Sequence, residues 1–121
     1  MIQLVKQPEK SNQCGQCCVA MVTGVSRLKA ISVFGKTGLT SWGNVRTALA
    51  NLGKNRTVQA LGALPLLSVS IVRVKWDKGS NSHFVVWDNG VWLDPELGRS
   101  LGARHKLWIV DVRIVSHLQI I

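Results

Sequence analysis

"SNQCGQCCVAM", residues Ser11 to Met21, sets three cysteines within five positions, with glutamines among them. Cys14, Cys17, Cys18, Met21 and Val22 fall at i, i+3, i+4, i+7 and i+8, which is one face of an α-helix. The spacing predicts a helix from Cys14 to Thr23. Asn12 or Gln13 sits near its N-cap, and Gly24 suits its end. Three chemistries compete for such a cluster: metal binding, redox exchange and nucleophilic attack.

A zinc site pairs two cysteines with a second pair or with two closely spaced histidines. Cys14 and Cys17 supply one half, but His105 and His117 stand too far apart for the other. A thioredoxin-like reading of Cys-Gly-Gln-Cys needs a strand just before it, whereas "KQPEKSNQ" is loop. The nucleophile reading asks less. A cysteine in the first turn of a helix faces the positive end of the helix dipole, which favours the thiolate. Cys14 is the cysteine so placed, while Cys17 and Cys18 read as small buried hydrophobes.

Outward from this helix, a shorter one is expected over Arg27 to Phe34. A third starts at Thr40 or Ser41, runs through "WGNVRTALANL" and ends at Gly53. Beyond Gly53 β-branched residues take over. "LLSVSIVRVKW" (Leu66 to Trp76) reads as a strand buried largely on both faces, and "SHFVVWD" (Ser82 to Asp88) as a second. Asn89-Gly90 is a hairpin turn signal, "VWLD" (Val91 to Asp94) the returning strand, and Pro95 its end. "KLWIVDVRIVSHLQII" gives one long strand or two. Helices first and an antiparallel sheet after make an α+β arrangement. Trp76, Trp87 and Trp92 are expected in the core or on a sheet face.

A thiolate needs a base. His83 opens its strand just after the polar loop "DKGSNS", where a side chain can reach a cleft. Counting back from the turn leaves Val86 less than directly opposite Leu93, and brings His83 near Asp94 or just beyond it. That carboxylate would fix the imidazole tautomer. Oxyanion donors are the Cys14 backbone N–H and a side-chain amide from Gln7 or Gln13. Gln16 reads as surface.

The totals bound the rest. The 121 residues suit one domain, 1–121, and 46% of them are hydrophobic, enough for a core without disulfides. No apolar run reaches about 18 residues, so no membrane span is expected. "MIQLVKQPEK" lacks a secretory pattern, and three cysteines is an odd count; both point to a reducing, cytoplasmic setting. Fifteen Lys+Arg against six Asp+Glu give +9. The cations are spread from Lys6 to Arg113, with Arg99, Arg104, His105 and Lys106 the densest group. No aromatic-interleaved motif accompanies them, so nucleic acid is not the expected partner. No cofactor or metal is called for.

Taken together, "PEKSNQCGQCCVAMV" and "SHFVVWDNGVWLDPELG" resemble the papain-like cysteine peptidases, and within them the double-glycine leader peptidases that process bacteriocin precursors. The resemblance covers about Lys6 to Gly98. It implies a helical half carrying the nucleophile, packed on a C-terminal antiparallel sheet. It implies Cys14 as nucleophile, His83 as base and acid, Asp94 as the orienting group and Gln7 as oxyanion donor. Gln7 departs from the pattern: it stands seven residues before Cys14, where the family usually shows six. Gln13 stays open as the substitute. The expected reaction is thiol-dependent hydrolysis of a peptide or isopeptide bond in a protein or peptide substrate. Small neighbours of Cys14, Gly15 above all, suggest small residues at the cleavage site. Two alternatives remain open: acyl transfer to an amine, as in transglutaminases, and an idle binder or inhibitor from a phage or mobile element, acting in the host cytoplasm.

Overall fold

The computed structural model describes residues 2–76, 82–96, 99–102 and 112–121. Three helices come first: α1 (Cys14–Thr23), α2 (Arg27–Phe34) and α3 (Trp42–Asn51). The strands follow: β1 (Thr57–Ala60), β2 (Val69–Trp76), β3 (Ser82–Asp88), β4 (Val91–Asp94), β5 (Arg99–Gly102) and β6 (Val112–Ile120). They form one antiparallel sheet in the order β1-β6-β2-β3-β4-β5. The α+β class expected from the sequence is therefore observed.

Local chemistry sets the helix ends. Gly24 and Gly35 close α1 and α2 in the left-handed conformation that glycine adopts without strain. Ser41 caps α3 in a reciprocal box with Asn44, whose side chain accepts from the Ser41 backbone N–H at 3.0 Å. Ser26 caps α2 by accepting from the Lys29 N–H.

Asn89 and Gly90 have φ of 48° and 108°. Positive φ at both central residues is what a two-residue turn of the type I′ kind needs, and it fixes the β3–β4 register. Val86 pairs directly with Leu93, Trp87 with Trp92 and Asp88 with Val91. Direct pairing of Val86 with Leu93 corrects the looser opposition expected from the sequence. One further step sets Asp94 across from Val85, so His83 meets Asp94 on the diagonal.

Helices pack on one sheet face. Cys18, Val19 and Met21 of α1 and Val45, Ala48 and Leu49 of α3 meet Ile71, Phe84, Val86, Leu93 and Leu118 of the sheet. The alternate positions Val72, Val74, Val85, Trp87 and Trp92 form a second cluster on the opposite face, with Leu64 against it. Strand β2 is thus buried largely on both faces, as its mixed pattern suggests, with Arg73 and Lys75 half-buried. Trp87 and Trp92 stack edge to face at 4.7 Å, and the Trp87 indole donates to the Pro65 and Leu66 carbonyls. The Trp76 side chain lies outside the described residues.

The first expected strand starts later than read, at Val69 rather than Leu66; Leu66 and Leu67 are exposed. The C-terminal stretch is a strand over Val112–Ile120, and residues 106–111 lie outside the described ones. Strands β1 and β5 carry no alternating apolar signal and were not legible. Among the described residues no single helix is long and apolar enough to cross a membrane; α1 and α2 meet at a bend of 114°.

Candidate active site

Strand β3 brings His83 to the end of the sheet, and β4 ends beside it at Asp94. His83 Nε2 and Asp94 Oδ1 are 2.8 Å apart, with the residues 6% and 2% exposed. So little water reaches the pair that its hydrogen bond is strong. The same Oδ1 accepts the Glu96 N–H at 2.9 Å, which holds the carboxylate in place. Glu96 adds a second carboxylate 3.8 Å from Nε2.

Cys14 opens α1 and hydrogen-bonds the same imidazole. With Nε2 engaged by Asp94, Nδ1 is the ring nitrogen left to face the thiol. Burial alone would lower the His83 pKa. The Asp94 and Cys14 hydrogen bonds, and the negative charges of both groups, outweigh it and raise the pKa from 6.5 to about 10. The ring is built to carry a proton between Asp94 and Cys14.

The other cysteines differ. All three are free thiols, but Cys17 and Cys18 are fully buried. Burial pushes the Cys17 thiol up to about 11, against a smaller opposing pull from Arg27. Burial also pushes Cys18 well above its ordinary value. The structure therefore separates one half-buried thiol on an imidazole from two protonated core side chains.

Gln7 and Gln13 part company. Gln13 precedes α1 without capping it, and its side chain accepts from the Arg27 guanidinium at 2.8 Å. That bond turns it toward α2. Gln7 is buried and tied to the site at two points. Its backbone N–H donates to Pro95 O, one residue past Asp94, and its Nε2 donates to Ser11 O, both at 2.9 Å. An amide nitrogen carries two hydrogens, and the Ser11 bond uses one of them. With Gln13 not capping, the first backbone N–H groups of α1 also have no side-chain acceptor there.

Two sequence readings change. Gln16, read as surface, is fully buried: its Nε2 donates to the Lys36 and Gly38 carbonyls at 3.1 and 3.0 Å. It straps the loop before α3 onto α1. No spacing rule marks such a residue, because its partners lie 20 and 22 positions away. Gly15 is glycine for that same loop. A Cβ there would lie 2.0 Å from Thr40 Oγ1, so the missing side chain makes room for Thr40 rather than for a substrate. The small-substrate argument drawn from Gly15 falls with that contact.

His83, Asp94 and Glu96 bring three ligand atoms within 4.8 Å of one another, a set able to hold a cation, though Nε2 already serves Asp94. His117, across the sheet and buried, has its pKa lowered by burial. A cavity of about 460 Å³, lined by Ile2, Val5, Met21, Val22, Thr23 and Val25, opens at the far end of α1, with no cysteine, histidine or charged side chain in its described lining. No protein-family model matches the chain, and no curated protein matches it.

Proposed function

We propose that the protein is a cysteine peptidase of the papain-like kind, as its resemblance to the double-glycine leader peptidases implies. One observation carries the reading: a single buried imidazole joins Asp94 on one side and the thiol at the start of α1 on the other.

His83 Nδ1 takes the Cys14 proton, and Asp94 holds Nε2–H and stabilises the imidazolium. Sγ attacks the carbonyl carbon, and the carbonyl electron pair moves to oxygen. The Cys14 backbone N–H and the second Gln7 Nε2–H meet that oxyanion. As the intermediate collapses, the C–N bond breaks, and Nδ1–H protonates the leaving amine. A thioester on Cys14 remains. Water, deprotonated by Nδ1, then attacks it, releases the acid and returns the thiol.

An activated acyl ester such as p-nitrophenyl acetate tests this without knowing the substrate. The expected result is a burst of nitrophenol matching the Cys14 content, an acetyl adduct on Cys14 by mass, and slow turnover. Cys14→Ala shows neither burst nor adduct. Acetyl amide formed from an added amine, in place of acetate, would make the protein a transferase. No adduct on Cys14 would leave a binding protein.

A further inference from the structure

Strand β6 carries a bulge. Arg73 of β2 pairs with Ser116, but the next residue, Val74, pairs with Ile114, and Lys75 with Arg113. One residue, Val115, is extra. Without it the alternation would send Arg113 to the face opposite Lys75. With it, Arg73, Lys75 and Arg113 share one face. Lys75 and Arg113 are then direct cross-strand partners of like charge, an arrangement that destabilises a sheet. None of the three cations forms an ion pair among the described residues. The acids described are Glu9, Asp88, Asp94 and Glu96; Asp77 and Asp111 lie outside the described residues.

The location matters as much as the charge. Lys75 pairs with Ser82, the residue before His83, and Arg73 pairs with Phe84, the residue after it. The Phe84 ring lies under Gly15, 3.6 Å from where a Cβ would be, and meets Trp42 edge to face at 4.9 Å. Trp42 in turn donates to Ser116, the partner of Arg73. Cys14, the buried Phe84 ring, the half-buried Trp42 and the three cations therefore lie on the helix-bearing side of the sheet. At about 4.8 Å per strand, Lys75 stands one strand and Arg113 two strands from β3. Arg113 is exposed, and Arg73 and Lys75 are half-buried.

We propose that Arg73, Lys75 and Arg113 form a docking strip for a carboxylate-bearing segment of the peptide substrate. The proposal rests on the peptidase reading and adds its substrate class. Glutamate or aspartate side chains offset the Lys75–Arg113 repulsion that the bulge creates. The half-buried Trp42 lies between strip and thiol. A peptide is favoured over nucleic acid because the strip shares the sheet face of Phe84, against which the Cys14 helix packs.

The test uses the full-length Cys14→Ala protein and two labelled peptides, one rich in Glu and one with Gln in the same positions, read by fluorescence anisotropy. The Glu peptide is expected to bind roughly tenfold tighter, an advantage that shrinks as salt rises from about 50 mM to about 0.5 M and screens the charges. Arg73→Gln/Lys75→Gln/Arg113→Gln should abolish the advantage and leave Gln-peptide binding alone. Should the triple variant not fold, the exposed single change Arg113→Gln should remove part of it. Equal affinity for both peptides, or an advantage that survives the substitutions, overturns the proposal. So does an oligonucleotide of matched charge that displaces the Glu peptide and itself binds more tightly through the strip. Binding needs no intact thiol, so failure of the strip and failure of the Cys14 chemistry read out separately.

Discussion

Asp94→Asn changes little in shape and much in charge. In the native protein the His83 pKa stands at about 10 against an ordinary 6.5. At about 1.4 kcal/mol per unit, that gap is roughly 5 kcal/mol of preference for the charged ring. Asp94 contributes both the leading upward cause and a negative charge, while burial pulls the other way. Without the carboxylate, burial prevails and the ring is neutral at pH 7. Asparagine Oδ1 can keep both contacts, accepting the Glu96 N–H and the His83 Nε2–H, so the geometry stays and the charge goes. The neutral ring keeps its Nε2–H tautomer and loses the charge that holds the second proton on it. Alkylation of Cys14 by iodoacetamide at pH 6 should fall by about 10²- to 10⁴-fold, at about tenfold for each pKa unit the ring loses. Glu96, with Oε2 3.8 Å from Nε2, is the one fallback carboxylate described there, and Asp94→Asn/Glu96→Gln removes it. An NMR titration of His83 run in parallel should show its pKa drop below the ordinary value. A double variant that alkylates within about twofold of wild type, with His83 still titrating above pH 8, would refute the reasoning, since a neutral ring forfeits about tenfold per pKa unit lost.

Three further outcomes follow from the same geometry. Because the folded-state His83 pKa is raised, its contribution to stability is fully present below about pH 6.5 and is lost as pH rises through about 10; thermal melts should show a fall across that window that His83→Ala lacks. Gly15→Ala drives a Cβ to 2.0 Å from Thr40 Oγ1, and chemical denaturation should show a loss of about 1–3 kcal/mol, largely restored in Gly15→Ala/Thr40→Ala; a neutral single variant contradicts the contact. Cys17 and Cys18, both buried with raised pKa values, should take up label only on unfolding, so peptide mapping of native protein that finds either modified as fast as Cys14 speaks against the assignment.

Much of this arrangement is written locally. Cysteines at helical spacing ended by Gly24, a serine ahead of Trp42, and Asn89-Gly90 between two apolar runs each fix structure through a few adjacent residues. Their order placed Cys14, His83 and Asp94, the three groups the fold brings together. What could not be read rests on distant partners. The Gln16 strap and the Gln7–Pro95 bond join segments with no shared pattern. The β6 bulge shows only against β2, because one extra residue has no meaning until a partner strand counts it. Short edge strands such as "TVQA" and "RSLG" give up one neighbour and need no alternation, so propensity says nothing about them. Gly15 was read for the space it leaves, and only the packed loop shows that Thr40 takes that space.

The most direct measurement is the rate of Cys14 alkylation by iodoacetamide from pH 4 to 9 in wild type and His83→Ala, followed by intact mass and peptide mapping. A thiol paired with a protonated imidazole should react at one site, well below pH 7, and lose that low-pH reactivity in His83→Ala. Slow labelling that rises only near pH ~8.5, as for an ordinary free cysteine, and is indifferent to His83, would contradict the account.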